Sequence, residues 1–190
     1  MRYSTKPFPP YSFLPGVNPH PSESPQGHSY RKSEPLIVPL TVKNWPHNEN
    51  YLYGIDLYNH QYWWESHEAW EGLWKASSDD LTREFLQGLI KVSAAFIKWE
   101  LKTPRGLKIH YQSALQHLMT VAEKYSVYMG IDLLSYIGQL EQCVNILSNT
   151  PVEKWPALPR IIPSFGCEWV HYPIVVWSGP VRLDSYKVTS

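Results

Sequence analysis

The sequence predicts an all-α protein: a compact bundle of about four main helices, with a proline-rich extended arm before it and an extended tail after it. Ten of the 17 prolines lie in residues 1–46, none lies between residues 47 and 103, and the other seven follow. Proline breaks helix interiors, and apolar residues recur at helical spacing only in the proline-free stretch. We therefore divide the chain into an arm at 1–46, a helical domain at 47–150 and a tail at 151–190.

Composition limits the classes of function. The 190 residues are 43% hydrophobic, which is enough for one domain with a core, and 17 basic residues balance 17 acidic ones. This balance gives no reason to expect a nucleic-acid partner, which would need clustered excess Lys and Arg. No run approaches the ~18 apolar residues of a membrane span, and the first residues lack the apolar core of a signal peptide. We expect a cytoplasmic protein without a membrane partner.

The arm is too rich in proline for a helix or a central strand, but it carries aromatic residues that a solvated linker would lack. We expect it to pack on the helical body, with Tyr11, Phe13 and Tyr30 substantially buried. Residues 36–39 could add a short strand. The two cysteines, Cys143 and Cys167, form no CxxC pair, so neither a disulfide framework nor a cysteine zinc site is indicated.

Four helices are predicted in the body. The first runs from about residue 54 to 75, and the Ser-Ser-Asp-Asp stretch at 77–80 closes it and offers N-caps for the second, at 81–102. The second helix carries a narrow polar stripe opposite a broad apolar face, which is typical of a mostly buried helix. The stripe comprises Glu84, Gln87, Lys91, Lys98 and Lys102, and the apolar face comprises Phe85, Leu89, Val92, Phe96 and Trp99.

The third and fourth helices have recognisable ends. Thr103 and Pro104 form an N-cap and a first helical position, and Gly130 marks the stop of a helix that reaches about residue 129. Asp132 caps the fourth helix, which continues to about residue 149 before Pro151. The tail mixes proline with β-branched and aromatic residues, which is consistent with extended chain and one short hairpin.

Residues 58–75 carry most of the chemistry. At 100° per residue, one third of the helix circumference collects an aromatic and ionisable face, while Glu65 and Gln61 point elsewhere and are expected to be solvated. That face comprises His60, Trp63, Trp64, His67, Glu71 and Trp74, with Glu68 and Trp70 at its edges. An unpaired carboxylate among indoles costs several kcal/mol, so it must be paired, hydrogen-bonded, protonated or bound to a metal.

A divalent metal is one possible ligand of this face. His67 and Glu71 are four residues apart, Glu68 lies beside them, and the HExxE string differs from the zinc-protease motif HExxH only in its last residue. Two ligands do not make a site. His60 is about 10 Å along the helix from His67, so further ligands would come from the arm, where His20 and His28 are available.

Acid/base catalysis and a structural role are equally compatible with the pattern. In the first case, His67, Glu68 and Glu71 act on a small molecule in a tryptophan-walled pocket. In the second, the cluster is a hydrogen-bond network of a noncatalytic binding or assembly protein, such as a homodimer. His110 and His117 flank the apolar stripe of the third helix and are interpreted as boundary residues. No GxSxG, P-loop or GxGxxG motif supports another enzyme class.

The runs LYNHQYWWESHEAWEGLW at 57–74 and FLQGLIKVSAAF at 85–96 resemble a bacterial and archaeal family named "domain of unknown function 309". The resemblance extends over roughly residues 52–120 and implies a compact all-α fold, but no activity. Position by position, it selects Asn59, Glu65, His67, Glu68, Trp70, Glu71, Trp74 and Gln87. Together with His60, Trp63 and Trp64, these residues define the predicted pocket. If Glu65 matters, we expect it to meet the second helix near Gln87.

Overall fold

The computed structural model describes residues 2–32 and 36–156. They form five α-helices, one two-stranded hairpin and two 3₁₀ turns, which confirms the all-α class. The helices are α1 (Glu49–Asn59), α2 (Trp63–Ala76), α3 (Asp80–Glu100), α4 (Pro104–Ala122) and α5 (Leu133–Ser148). The 3₁₀ turns are Trp45–His47 and Val152–Lys154. Residues 157–190, with the expected tail hairpin and Cys167, lie outside the described residues.

The predicted first helix, at 54–75, is two helices. The chain turns between His60 and Tyr62, where Gln61 takes a left-handed conformation with φ of 66°. No proline or glycine marks this break, so periodicity alone did not reveal it. The turn lets α1 pack on α2, and the rings of Tyr58 and Trp63 meet across it at 5.1 Å. Because α2 starts afresh at Trp63, its helical phase differs from that of one continuous helix.

Helix α3 lies between α2 and α4 and is the centre of the bundle. It begins as predicted, because the Asp79 carboxylate accepts a hydrogen bond from the Thr82 amide at 2.7 Å. The predicted apolar face is confirmed, since its five members, Phe85, Leu89, Val92, Phe96 and Trp99, are all buried.

The predicted third helix ends seven residues early, at Ala122 rather than near residue 129. The following residues form an antiparallel hairpin of β1 (Val127–Tyr128) and β2 (Ile131–Asp132). Its two-residue turn has positive φ at both Met129 (46°) and Gly130 (83°), a geometry that favours hairpins over helix continuation. The hydroxyl of Tyr51 donates to the Met129 carbonyl at 2.9 Å, which fixes the turn on α1.

The fourth predicted helix is α5. Its cap is confirmed, because the Asp132 carboxylate accepts a hydrogen bond from the Ser135 amide at 3.0 Å. In the core between α1 and α5 the hydroxyl of Tyr136 donates to that of Tyr58 at 2.9 Å. The free thiol of Cys143 is also buried there, and this burial raises its pKa to about 12. Among the described residues, no helix has the length and apolar character needed to cross a membrane.

The arm contacts α1 and α2 through residues 2–32. Two buried carboxylates hold it: Asp56 accepts from the amides of Tyr3 and Ser4, both at 2.8 Å, and Glu65 accepts from the Phe13 amide at 2.9 Å. Phe13 is buried with 5% of its surface exposed, whereas Tyr11 and Tyr30 are half-buried. The strand expected at residues 36–39 does not form, and this stretch is irregular.

Candidate functional site

Helix α2 presents two faces with different roles. Its inner face packs in the core through Trp63, Ser66, Trp70 and Leu73. The Trp70 ring fits against Gly54 of α1, where a β-carbon would lie 2.2 Å from its indole nitrogen. Two of the predicted pocket tryptophans, Trp63 and Trp70, are therefore almost wholly enclosed, and they contribute packing in the folded chain.

The outer face of α2 brings together three potential metal ligands. One donor atom each from His67, Glu68 and Glu71 lies within 4.8 Å of the other two. The side chains are 24%, 52% and 33% exposed, so solvent reaches the group. Spacings of one, three and four residues place all three on adjacent turns of the helix. These are the residues that the sequence predicted as catalytic, and two of them were its proposed metal ligands.

The imidazole of His67 has an unsatisfied nitrogen. Its Nδ1 is buried and has no hydrogen-bond partner among the described residues, although the ring as a whole is partly exposed. Oε1 of Glu68 lies 3.4 Å from this nitrogen, which is ion-pair range but not hydrogen-bonding geometry. The ring stacks on Trp64 at a centroid distance of 6.0 Å and an interplanar angle of 19°. The stacking restrains the plane in which this nitrogen can accept a partner.

The two carboxylates are not consumed by internal hydrogen bonds of the described chain. Oε2 of Glu71 lies 3.3 Å from Nζ of Lys75, an exposed ion pair one turn along α2. The His67 side chain is the largest influence on Glu68 and lowers the pKa of that carboxyl, with smaller contributions from Lys75 and His20. Both acids are thus available to a cation at neutral pH, since an exposed lysine is a weak competitor.

The expectation for Glu65 is wrong in two respects. It is not solvated, since only 7% of its surface is exposed, and it does not meet Gln87. Instead Oε1 accepts from the amide of Phe13 and lies 3.2 Å from Nε2 of His28. The helix break at 60–62 changed the phase of α2 and turned Glu65 inward, beneath the arm.

The two arm histidines have different surroundings. His28 lies against Glu65, and its Nδ1 contacts the Ser29 hydroxyl at 2.9 Å, so it faces a different carboxylate from the outer group. His20 packs its ring edge-on against Trp64 at 5.6 Å, and its charge acts on Glu68. Of the two, His20 is the one placed near the His67 group.

The other predicted pocket residues are dispersed. His60 is exposed and contacts Phe8 at 4.8 Å, and the guanidinium of Arg83 lies 4.2 Å above the ring of Trp74. Asn59 has a buried side-chain oxygen without a hydrogen bond in the described chain, and Gln87 is half-buried on α3. A groove of about 330 Å³ lies elsewhere, near the start of α1, where Lys6, Val38, Asn48 and Glu49 contribute to its walls.

His110, which the sequence pattern predicts to be a boundary residue, has a more specific setting in the structure. It lies half-buried on α4, where the charges of Lys91, Lys98 and His67 act on it. The signal available in the sequence was weak, because a lysine stripe on α3 is ordinarily a solvated face. Only the packing of α4 on α3 adds a histidine to that stripe.

Residues 51–109 match the family described as "Domain of unknown function (DUF309)". This finding confirms the resemblance drawn from the motif residues. The matched segment contains α2 and α3 entirely, with most of α1 and the beginning of α4. It includes the three outer residues of α2, and the family's description assigns them no activity. No curated protein matches the chain.

Proposed function

We propose that the segment matching this family binds a divalent cation through His67, Glu68 and Glu71 and uses it for hydrolytic chemistry on a small molecule. The observation that carries the proposal is the convergence of three donor atoms within 4.8 Å, one of them a buried imidazole nitrogen without a hydrogen-bond partner in the described chain. A buried polar atom without a partner costs free energy, and a metal ion would supply the partner.

The spacing of the donors suits a small cation. Two ligands bound at about 2.1 Å in tetrahedral geometry lie about 3.4 Å apart. The Nδ1 of His67 and Oε1 of Glu68 are separated by 3.4 Å. Glu71 lies one turn from His67, so its carboxylate can approach the same point after releasing exposed Lys75. One imidazole with two carboxylates is a donor set that suits zinc or manganese.

Three protein ligands leave coordination positions open to solvent. Catalytic zinc sites keep such a position for water, whose pKa falls to about 7 on the metal. The exposure of Glu68 and Glu71 makes the open side accessible to a substrate. His20, whose ring packs on Trp64 beside the group, is the residue we propose as a further ligand or proton carrier.

The experiment measures thermal stability with zinc, with manganese and with a chelator. A cation at about 100 times its dissociation constant stabilises a protein by about 2.7 kcal/mol. We expect stabilisation at pH 8, less toward pH 5 because protons compete for the ligands, and reversal by the chelator. The substitutions His67→Ala and Glu71→Gln should abolish the response. Exposed residues away from the group serve as matched controls, and His47→Ala and Glu100→Gln should retain it.

Hydrolysis is tested separately with p-nitrophenyl acetate and p-nitrophenyl phosphate. Metal-dependent turnover that is lost in His67→Ala supports the full proposal. A metal response without turnover of either ester would reduce it to metal binding alone. Equal metal responses in the variants and their controls would refute the site, and would favour the alternative of a noncatalytic binding or assembly protein. Homodimer formation, a cytoplasmic location and the absence of a nucleic-acid partner remain predictions from the sequence.

A further inference from the structure

Three cationic side chains gather where α3 packs on α4, next to the outer face of α2. Lys91 and Lys98 belong to α3, His110 belongs to α4, and all three are half-buried. In the described part of the chain, no carboxylate lies within 4.0 Å of any of them. The charged pairs of that region use other residues, such as Glu84 with His117 at 2.7 Å. Among the described residues, the three cations are therefore without a paired anion.

The helix register brings the three together. The stem of Lys98 packs over Gly106 of α4, where a β-carbon would come within 3.0 Å of its Cγ and Cδ. A three-residue connection joins α3 to α4, so the two helices run in opposite directions. Four residues beyond Gly106, His110 thus lies opposite position 94, about 5 Å in rise from both Lys91 and Lys98. The long lysine side chains can converge on the imidazole from either side.

Electrostatics indicates that this arrangement costs free energy. Burial is the main cause that lowers the pKa of His110, and Lys91, Lys98 and His67 each lower it further by repelling its protonated form. Like charges gathered in a half-buried place destabilise one another, and an anion bound among them removes that repulsion. His67 contributes to the same field, which shows that the cluster adjoins the proposed metal group.

We propose that Lys91, Lys98 and His110 bind the phosphate group of a small molecule. Three separate cationic donors from two helices match the three terminal oxygens and double charge of a phosphate monoester better than the two oxygens of a carboxylate. The balanced net charge and the small size of the cluster indicate a single phosphate group and not a polyanion. That the phosphorylated molecule is also the substrate of the His67 group rests on the proposed function; the binding itself does not.

The experiment uses the full chain and inorganic phosphate in buffer with chelator, so that no metal takes part. Calorimetry measures the dissociation constant, and proton NMR follows the Cε1 proton of His110, assigned by its absence in His110→Gln. We expect saturable binding with a shift of that resonance. Losing one charged contact should weaken binding about tenfold in Lys91→Gln and in Lys98→Gln.

The control variant is Lys108→Gln, which removes the same charge from an exposed position of α4 and should bind phosphate as the natural chain does. His67→Ala should also retain binding in chelator, and this result separates the phosphate site from the metal site. Equal weakening in Lys108→Gln would show a general charge effect and overturn the proposal. Absence of saturable binding, or saturable binding of succinate without phosphate, would overturn it as well.

Discussion

The side chain of Glu65 holds the backbone of Phe13, which lies 52 positions earlier in the chain: its Oε1 accepts the Phe13 amide proton at 2.9 Å. The other carboxylate oxygen is buried and has no hydrogen-bond partner in the described residues. A motif residue of α2 thus fixes the arm and leaves the metal-ligand face to its neighbours.

Replacing this carboxylate should destabilise the protein. Glu65→Leu removes the acceptor of a buried amide, and we expect the free energy of unfolding to fall by about 1–3 kcal/mol in urea denaturation. Glu100→Gln, on the exposed side of α3, should change it by less than about 0.5 kcal/mol. Equal stability of the two variants would show that the contact with Phe13 contributes nothing.

Removing residues 1–30 should lower the melting temperature, because Asp56 and Glu65 lose their amide donors and the buried Phe13 is absent. In the shortened chain, Glu65→Leu should no longer destabilise, since its partner has gone. The comparison forms a double-mutant cycle, and thermal melts of the four proteins give the coupling. Independent effects of the two changes would mean that Glu65 acts on something other than the arm.

Two glycines provide a matched pair. Gly54→Ala should destabilise by about 1–3 kcal/mol or more, because its new methyl would collide with the enclosed Trp70 ring. Gly138→Ala meets nothing within 4 Å in the interior of α5, and should stabilise by about 0.5–1 kcal/mol through helix propensity. Chemical denaturation measures both. A neutral Gly54→Ala would contradict the close packing of α1 on α2.

The lowered pKa of Glu68 predicts a pH dependence of stability. A carboxyl whose pKa is lower in the folded state than in the unfolded state, where it is near 4.5, stabilises the fold above that pH and loses this contribution as the pH falls. The difference in unfolding free energy between the natural chain and Glu68→Gln should therefore shrink below about pH 4.5. The side chain is 52% exposed, so the difference is small. A difference that grew with acid would reverse the assigned sign.

Long-range order along one helix was determined by the sequence. The 21 residues of α3 repeat apolar positions often enough to define its buried face, and Asp79 and Asp132 mark helix starts because capping involves residues only three apart. The adjacency of His67 and Glu71 follows from the same short-range geometry. These features depend on neighbouring residues alone, so a single sequence contains them.

Only the tertiary structure decided the features that depend on residues far apart in the chain. The break at Gln61 carries no local signal, because packing α1 on α2 compensates its left-handed backbone. That break reversed the environment of Glu65 and supplied it with Phe13 as a partner. The approach of His110 to Lys98 likewise requires α4 to fold back on α3. Such pairings depend on the balance of packing, chain entropy and desolvation over the whole domain, which periodicity does not contain.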